Sequence, residues 1–142
     1  MRMFLLALSL VLTAAAPSGW GDLSGWVGRY PTDNGRHLLG TPPIRAGLQQ
    51  VLSPADQAKL RSFTNEAPVE QSGAYLLIKQ CMPHDCGNQN AMIVLDTTTQ
   101  HMWVGMFSRG SRTIAVRWFG MTDPSDLGPE IMQTFDAQHR PQ

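Results

Sequence analysis

Four apolar runs, each the length of a strand, follow one another between Ala74 and Phe119 with only short connections between them. They are Ala74-Tyr75-Leu76-Leu77-Ile78, Ala91-Met92-Ile93-Val94-Leu95, His101 to Phe107, and Thr113 to Phe119. Polar turns at Asp96 to Gln100 and at Ser108 to Arg112 separate the last three. Parallel neighbours need a crossover of about a dozen residues or more, so these runs must pair as an antiparallel meander. The last run alternates, with Ile114, Val116 and Trp118 opposed to Ala115, Arg117 and Phe119. Upstream, Pro42-Pro43 precedes Ile44, Leu48, Val51 and Leu52 at helical spacing. Ser53-Pro54 then supplies a cap and an N1 proline for a second helix, with Leu60 and Phe63 on its apolar side. Its Asp56, Gln57, Lys59 and Arg61 read as a solvated face, and Asn65 to Gly73 as a connection. Asp123-Pro124 opens a further capped segment, and Ile131, Met132 and Phe135 predict a short C-terminal helix before a loose polar tail, Ala137 to Gln142. The predicted class is α+β: an antiparallel β-sheet meander flanked by short helices.

The only two cysteines bracket four residues between the first two runs: Cys81-Met82-Pro83-His84-Asp85-Cys86, with Gly87 next and Gln89 two residues beyond. The segment therefore projects from one end of the sheet. If the cysteines pair, the ring is so short that it removes only about 2 kcal/mol of unfolded-state entropy, against about 4–5 kcal/mol for a loop of a hundred residues. Such a bond shapes one loop rather than holding a domain together. It presents an imidazole and a carboxylate side by side behind a proline, a stiffened polar tip suited to contact with another molecule. The sharper alternative is zinc, with Cys81, His84 and Cys86 as ligands and His101 as a fourth.

The N-terminus bears on that choice. Arg2, an apolar run from Met3 to Leu12, and Thr13-Ala14-Ala15-Ala16 follow the order of a secretory signal peptide. Pro17 would block a cut after Ala16, so cleavage is expected after Ala15. The run is shorter than the roughly 20 apolar residues a membrane span needs. No cysteine near the cut suggests a lipid anchor. An exported chain favours a disulfide over a thiolate metal site. Removing residues 1–15 takes away one of the 11 basic residues and none of the 11 acidic ones, leaving a single net negative charge. That balance argues against nucleic acid and against an anionic membrane surface as partners.

From residue 16 to 41 the chain carries Gly19, Gly21, Gly25, Gly28, Gly35 and Gly40 with Trp20, Trp26 and Tyr30 interspersed. This is an extended lead-in whose aromatics are expected to pack on the domain rather than touch a partner. No catalytic signature is present: no GxSxG, no phosphate-cradling glycine loop, no HExxH, no carboxylate pair set for acid–base work. Cys-x4-Cys is not the Cys-x-x-Cys of thiol redox enzymes. His37, His101 and His139 read as ordinary surface or edge residues. The chain is read as a non-enzyme without cofactor or metal.

Cys81 to Gln89, with its flanking strands, resembles the Ivy family, inhibitors of vertebrate lysozyme found in the bacterial periplasm. That family is marked by a disulfide-closed Cys-Lys-Pro-His-Asp-Cys loop followed by Gly and a nearby Gln. Tyr75 matches an aromatic in the strand before the loop, and Met102 to Ser108 resembles the next strand, so the resemblance runs from about Ala74 to Ser108. It implies a Cys81–Cys86 disulfide and a periplasmic inhibitor of c-type lysozyme. The inhibitory loop would be Met82, Pro83, His84 and Asp85, supported by Gly87 and Gln89. His84 would enter the active-site cleft against the two catalytic carboxylates, Asp85 would orient the imidazole or touch the cleft rim, and Gly87 would let the chain leave the turn. Met82 stands where the family has Lys, which removes a cation beside those carboxylates. The alternative target is a related muramidase, a lytic transglycosylase or another envelope protein. The domain plan is then 1–15 signal peptide, 16–41 lead-in, 42–136 inhibitor domain and 137–142 tail. No heptad or large apolar stripe marks an interface, and a homodimer is compatible with the chain.

Overall fold

The computed structural model describes residues 19–120 and 123–139. The signal peptide expected at residues 1–15 and the end of the polar tail lie outside the described residues. Among the described residues one sheet contains six strands: β1 (Asn65–Glu66), β2 (Glu70–Ser72), β3 (Tyr75–Cys81), β4 (Gln89–Asp96), β5 (Met102–Arg109) and β6 (Ile114–Phe119). The order is β1-β3-β4-β5-β6, with β2 also on β3, and every pairing between these strands is antiparallel. Three α-helices accompany it: α1 (Pro42–Val51), α2 (Pro54–Ser62) and α3 (Pro129–Ala137). The α+β class and the four-strand meander hold.

The connection expected over Asn65 to Gly73 is instead an interrupted edge. Asn65 and Glu66 pair with Cys81 and Gln80, and Glu70 to Ser72 pair with Leu77 to Tyr75. Between the two short strands, Val69 forms a parallel bridge with Val27 of the lead-in. Gly28 N–H donates to the Val69 carbonyl at 2.8 Å, and Val69 N–H to that of Arg29 at 2.8 Å. Such short strands carry little periodicity and are held by partners distant in sequence.

The sheet is covered on both sides, which explains why its central strands are continuous apolar runs rather than alternating ones. On one side Leu76, Ile78, Ile93, Leu95, Val104 and Met106 pack with Ile44 and Leu48 of α1, with Leu60 of α2 and with Phe63. Leu23, Trp26 and Leu38 of the lead-in join the same cluster. Trp20 packs against it, while Tyr30 is exposed. On the other side Leu77, Met92, Val94 and Phe107 meet Ile131 and Phe135 of α3.

Three expectations need correction. Asp56 is not on a solvated face: it is 8 % exposed and accepts from Arg117 of β6 at 2.8 and 3.3 Å. It also closes the start of α2, accepting from the Ser53 hydroxyl at 2.7 Å while its own N–H donates to that hydroxyl at 3.1 Å. The Ser53 hydrogen bond and then Arg117 hold its carboxyl below the usual aspartate value, against the opposing effect of burial. The tail does not begin loosely: His139 is 8 % exposed, stacked on Phe107 with ring centroids 3.7 Å apart. Finally, the alternation in β6 is geometrically right but buries little. Ile114 is 66 % and Val116 50 % exposed, while Trp118 of the same row packs on Phe135 of α3.

Candidate functional site

The cysteine loop connects β3 to β4, the most enclosed strand of the sheet. Their ladder ends at the pair Cys81–Asn90, with one further bond from Met82 N–H to the Gln89 carbonyl at 2.9 Å. Cys81 and Cys86 are disulfide-bonded, with Cα atoms 4.8 Å apart. Inside the ring, Asp85 N–H donates to the Met82 carbonyl at 3.0 Å, closing a four-residue turn with Pro83 second and His84 third. Proline fixes φ near −65° at the second place, and His84 takes a φ of 63°. Those two values define a type II turn, whose third residue is ordinarily glycine or asparagine. His84 is exposed, while Met82, Pro83, Asp85 and Cys86 are half-buried.

Asp85 is the internal tie of the loop. Its carbonyl accepts from the N–H groups of Asn88 at 3.0 Å and Gln89 at 2.9 Å. Its carboxylate accepts from the side-chain amides of Asn88 at 2.8 Å and Gln89 at 3.2 Å. Both oxygens are thus engaged away from His84, and the expected role of orienting the imidazole is replaced by one of holding the chain. Gln89 supports the loop twice over, by backbone and by side chain. Gly87 does not act as expected: it lacks a positive φ, and a Cβ there would meet nothing within 4 Å. The left-handed residue of this loop is His84. Met82 turns inward and packs against the main core cluster.

Two residues that the motif does not reveal fix the loop to the sheet. Asn90, 1 % exposed, donates its side-chain amide to the Cys86 carbonyl at 2.8 Å. Arg109 of β5 donates its N–H to the Asn88 carbonyl at 2.8 Å. The available signal was an asparagine heading an otherwise apolar strand, a residue tolerated in a core only when its amide is bonded.

The zinc alternative fails on this geometry. The two sulfurs are bonded to each other, and His101 sits at the opposite end of β4, stacked on Trp103 at 5.6 Å. Among the described residues no group of three His, Cys, Asp or Glu side chains is placed to hold a metal ion. No helix among them is long and apolar enough to cross a membrane. What the loop offers is one imidazole, held out on a tied frame, able to donate or accept a hydrogen bond against a surface brought to it.

Comparison with known proteins adds one match. The family model described as inhibitor of vertebrate lysozyme (Ivy) matches residues 43–138, a span running from the second residue of α1 through α3 and holding the whole loop. No curated protein and no solved structure matches the chain.

Proposed function

The chain belongs to the Ivy family, the inhibitors of vertebrate lysozyme, and from that premise we propose that it is a periplasmic protein that plugs the active-site cleft of a c-type lysozyme with the Cys81–Cys86 loop. Family membership carries the target class. The observation that carries the mechanism is His84, the exposed side chain at the tip of a turn whose other groups are tied inward. Lysozymes of this class work with two carboxylates of opposed roles. An imidazole set between them donates a hydrogen bond to one. Because Pro83, the disulfide and the Asp85 bonds already hold the turn, insertion orders little that was free, and the binding energy is not spent on shaping the loop. The protein is an inhibitor and not an enzyme in this reading, secreted through its N-terminal signal and requiring no cofactor.

Met82 shapes the alternative. Its side chain supports the loop from below and brings no charge to the cleft, so a target less dependent on a cation suits this loop, such as a lytic transglycosylase of the cell's own wall. One experiment tests both. Mature protein and its His84→Ala variant are assayed against a c-type lysozyme on cell-wall substrate. Inhibition lost in the variant is the expected result; inhibition retained by it would falsify the plug mechanism. No inhibition by either at about 10 μM, where even modest complexes are populated, transfers the loop to the alternative targets.

A further inference from the structure

The N-terminal helices and the lead-in leave a cleft between them of about 370 Å³. Its floor is apolar, formed by Leu39, Leu48 of α1 and Leu60 of α2. Its rim carries Arg45 from α1, Arg61 from α2 and His37 from the lead-in. Both arginines are exposed, and among the described residues the ion pairs engage Arg29, Lys79 and Arg117, with no carboxylate within pairing distance of Arg45 or Arg61. Glu66 is the one acid lining the cleft, and it is already bound: Thr32 donates to it at 2.6 Å and Gln80 at 3.2 Å. Two arginines without an ion-pair partner among the described residues, one from each helix, therefore line the same leucine-floored cleft.

We propose that this cleft binds a small single-chain amphiphile with a carboxylate head. Each half of the chemistry excludes other occupants. A compact inorganic anion satisfies the arginines but leaves the leucine floor uncovered. A neutral apolar molecule covers the floor but gives the guanidinium forks nothing to bind, and a cationic one is repelled. A carboxylate fits the fork of an arginine in bidentate fashion, and a short hydrocarbon tail matches the floor. The volume lies at the low end of small-molecule sites, which run from roughly 300 to 1,000 Å³, so the tail is of medium length. The cleft is distinct from the inhibitory loop, and the proposal does not depend on which enzyme that loop enters.

The test is calorimetric titration of the mature protein with sodium octanoate below its micelle concentration, alongside acetate, inorganic phosphate and octanol. Saturable binding of octanoate, with acetate, phosphate and octanol each much weaker, is expected. The Arg45→Gln/Arg61→Gln variant should bind octanoate at least about tenfold more weakly, as the loss of a charge-assisted contact implies. An unchanged melting curve shows that the variant is folded, which the exposure of both side chains favours. Amide shifts induced by octanoate in the wild-type protein should cluster on Leu39, Arg45 and Arg61. Absence of saturable binding, equal binding by octanol or phosphate, unweakened binding by the variant, or shifts elsewhere each overturns the proposal.

Discussion

At the scale of single residues, His84 carries two opposing demands. A non-glycine residue in the left-handed region costs about 1–2 kcal/mol, and the loop holds it there. His84→Gly should therefore raise stability, by up to about 1 kcal/mol in a denaturant melt, while inhibition of the target enzyme disappears. A residue retained only for folding would show no such opposition. A stability loss on that substitution would contradict the strained turn. Met82 gives a second case. Met82→Lys returns the cation usual in the family, and its stem can stay against the core while the ammonium reaches solvent. Tighter inhibition of a c-type lysozyme, with a fall in Tm of no more than roughly a few degrees, is the expected pair of results. The motif itself was readable in the chain, and so was its proline. Which residue takes the positive φ was not: glycine is the usual occupant, and Gly87 drew the expectation that the backbone gives to His84. The inward turn of Asp85 depends on Asn88 and Gln89 folding back beneath it, a geometry that residue types alone leave undetermined.

At the scale of elements, the β3–β4 hairpin positions the site and the rest of the sheet positions the hairpin. Replacing both cysteines, Cys81→Ser/Cys86→Ser, should lower stability by only about 2 kcal/mol, since the closed ring is so short. Inhibition should fall by a larger factor than that loss of folded protein explains, because the turn is then free to leave its bound shape. Equal losses in both would place the bond in general stability. A contrasting case lies across the sheet, where Gly105 of β5 faces Trp118 and Phe135. A Cβ at that position would lie 2.7 Å from the indole and 2.9 Å from the phenyl ring. Gly105→Ala is expected to cost about 1–3 kcal/mol in a denaturant melt, with the inhibition of the folded fraction unchanged. The long strands could be read from the chain because they bury both faces and are uniformly apolar. β1 and β2 could not, being two and three residues long and held by β3 and the lead-in.

At the scale of the whole molecule, distant parts of the chain are joined by titratable groups. Burial pushes the His139 imidazole below its ordinary value, Arg109 adds to that, and Asp136 opposes it. Both ring nitrogens lack a hydrogen-bond partner among the described residues, so the ring behaves as an aromatic wedge between Phe107 and Phe135. The native state therefore resists a proton that the unfolded chain accepts. His139's contribution is complete above the ordinary imidazole range and is lost as pH falls below it. The Tm should drop between about pH 7.5 and about pH 5, and His139→Phe should flatten that drop. An unchanged slope in the variant would remove His139 as its source. Asp56, whose carboxyl is lowered, loses its contribution only in stronger acid, which keeps the two effects apart. None of this long-range coupling was visible along the chain, where His139 stands in a polar tail and Asp56 on a polar helix face. The inward ties of the loop also bear on how such a protein changes its target over generations. Of the residues between the cysteines, Pro83 shapes the turn and Asp85 fastens it, so both are constrained by the loop's own architecture, while Met82 needs only an apolar stem against the core. That leaves Met82, already exchanged against the family's Lys, and His84, whose left-handed backbone narrows the choice of replacement, so a lineage under pressure from a new enzyme has little room to explore within the ring. Adaptation should then appear at Met82 and in the surfaces flanking the loop, while the turn itself stays as it is.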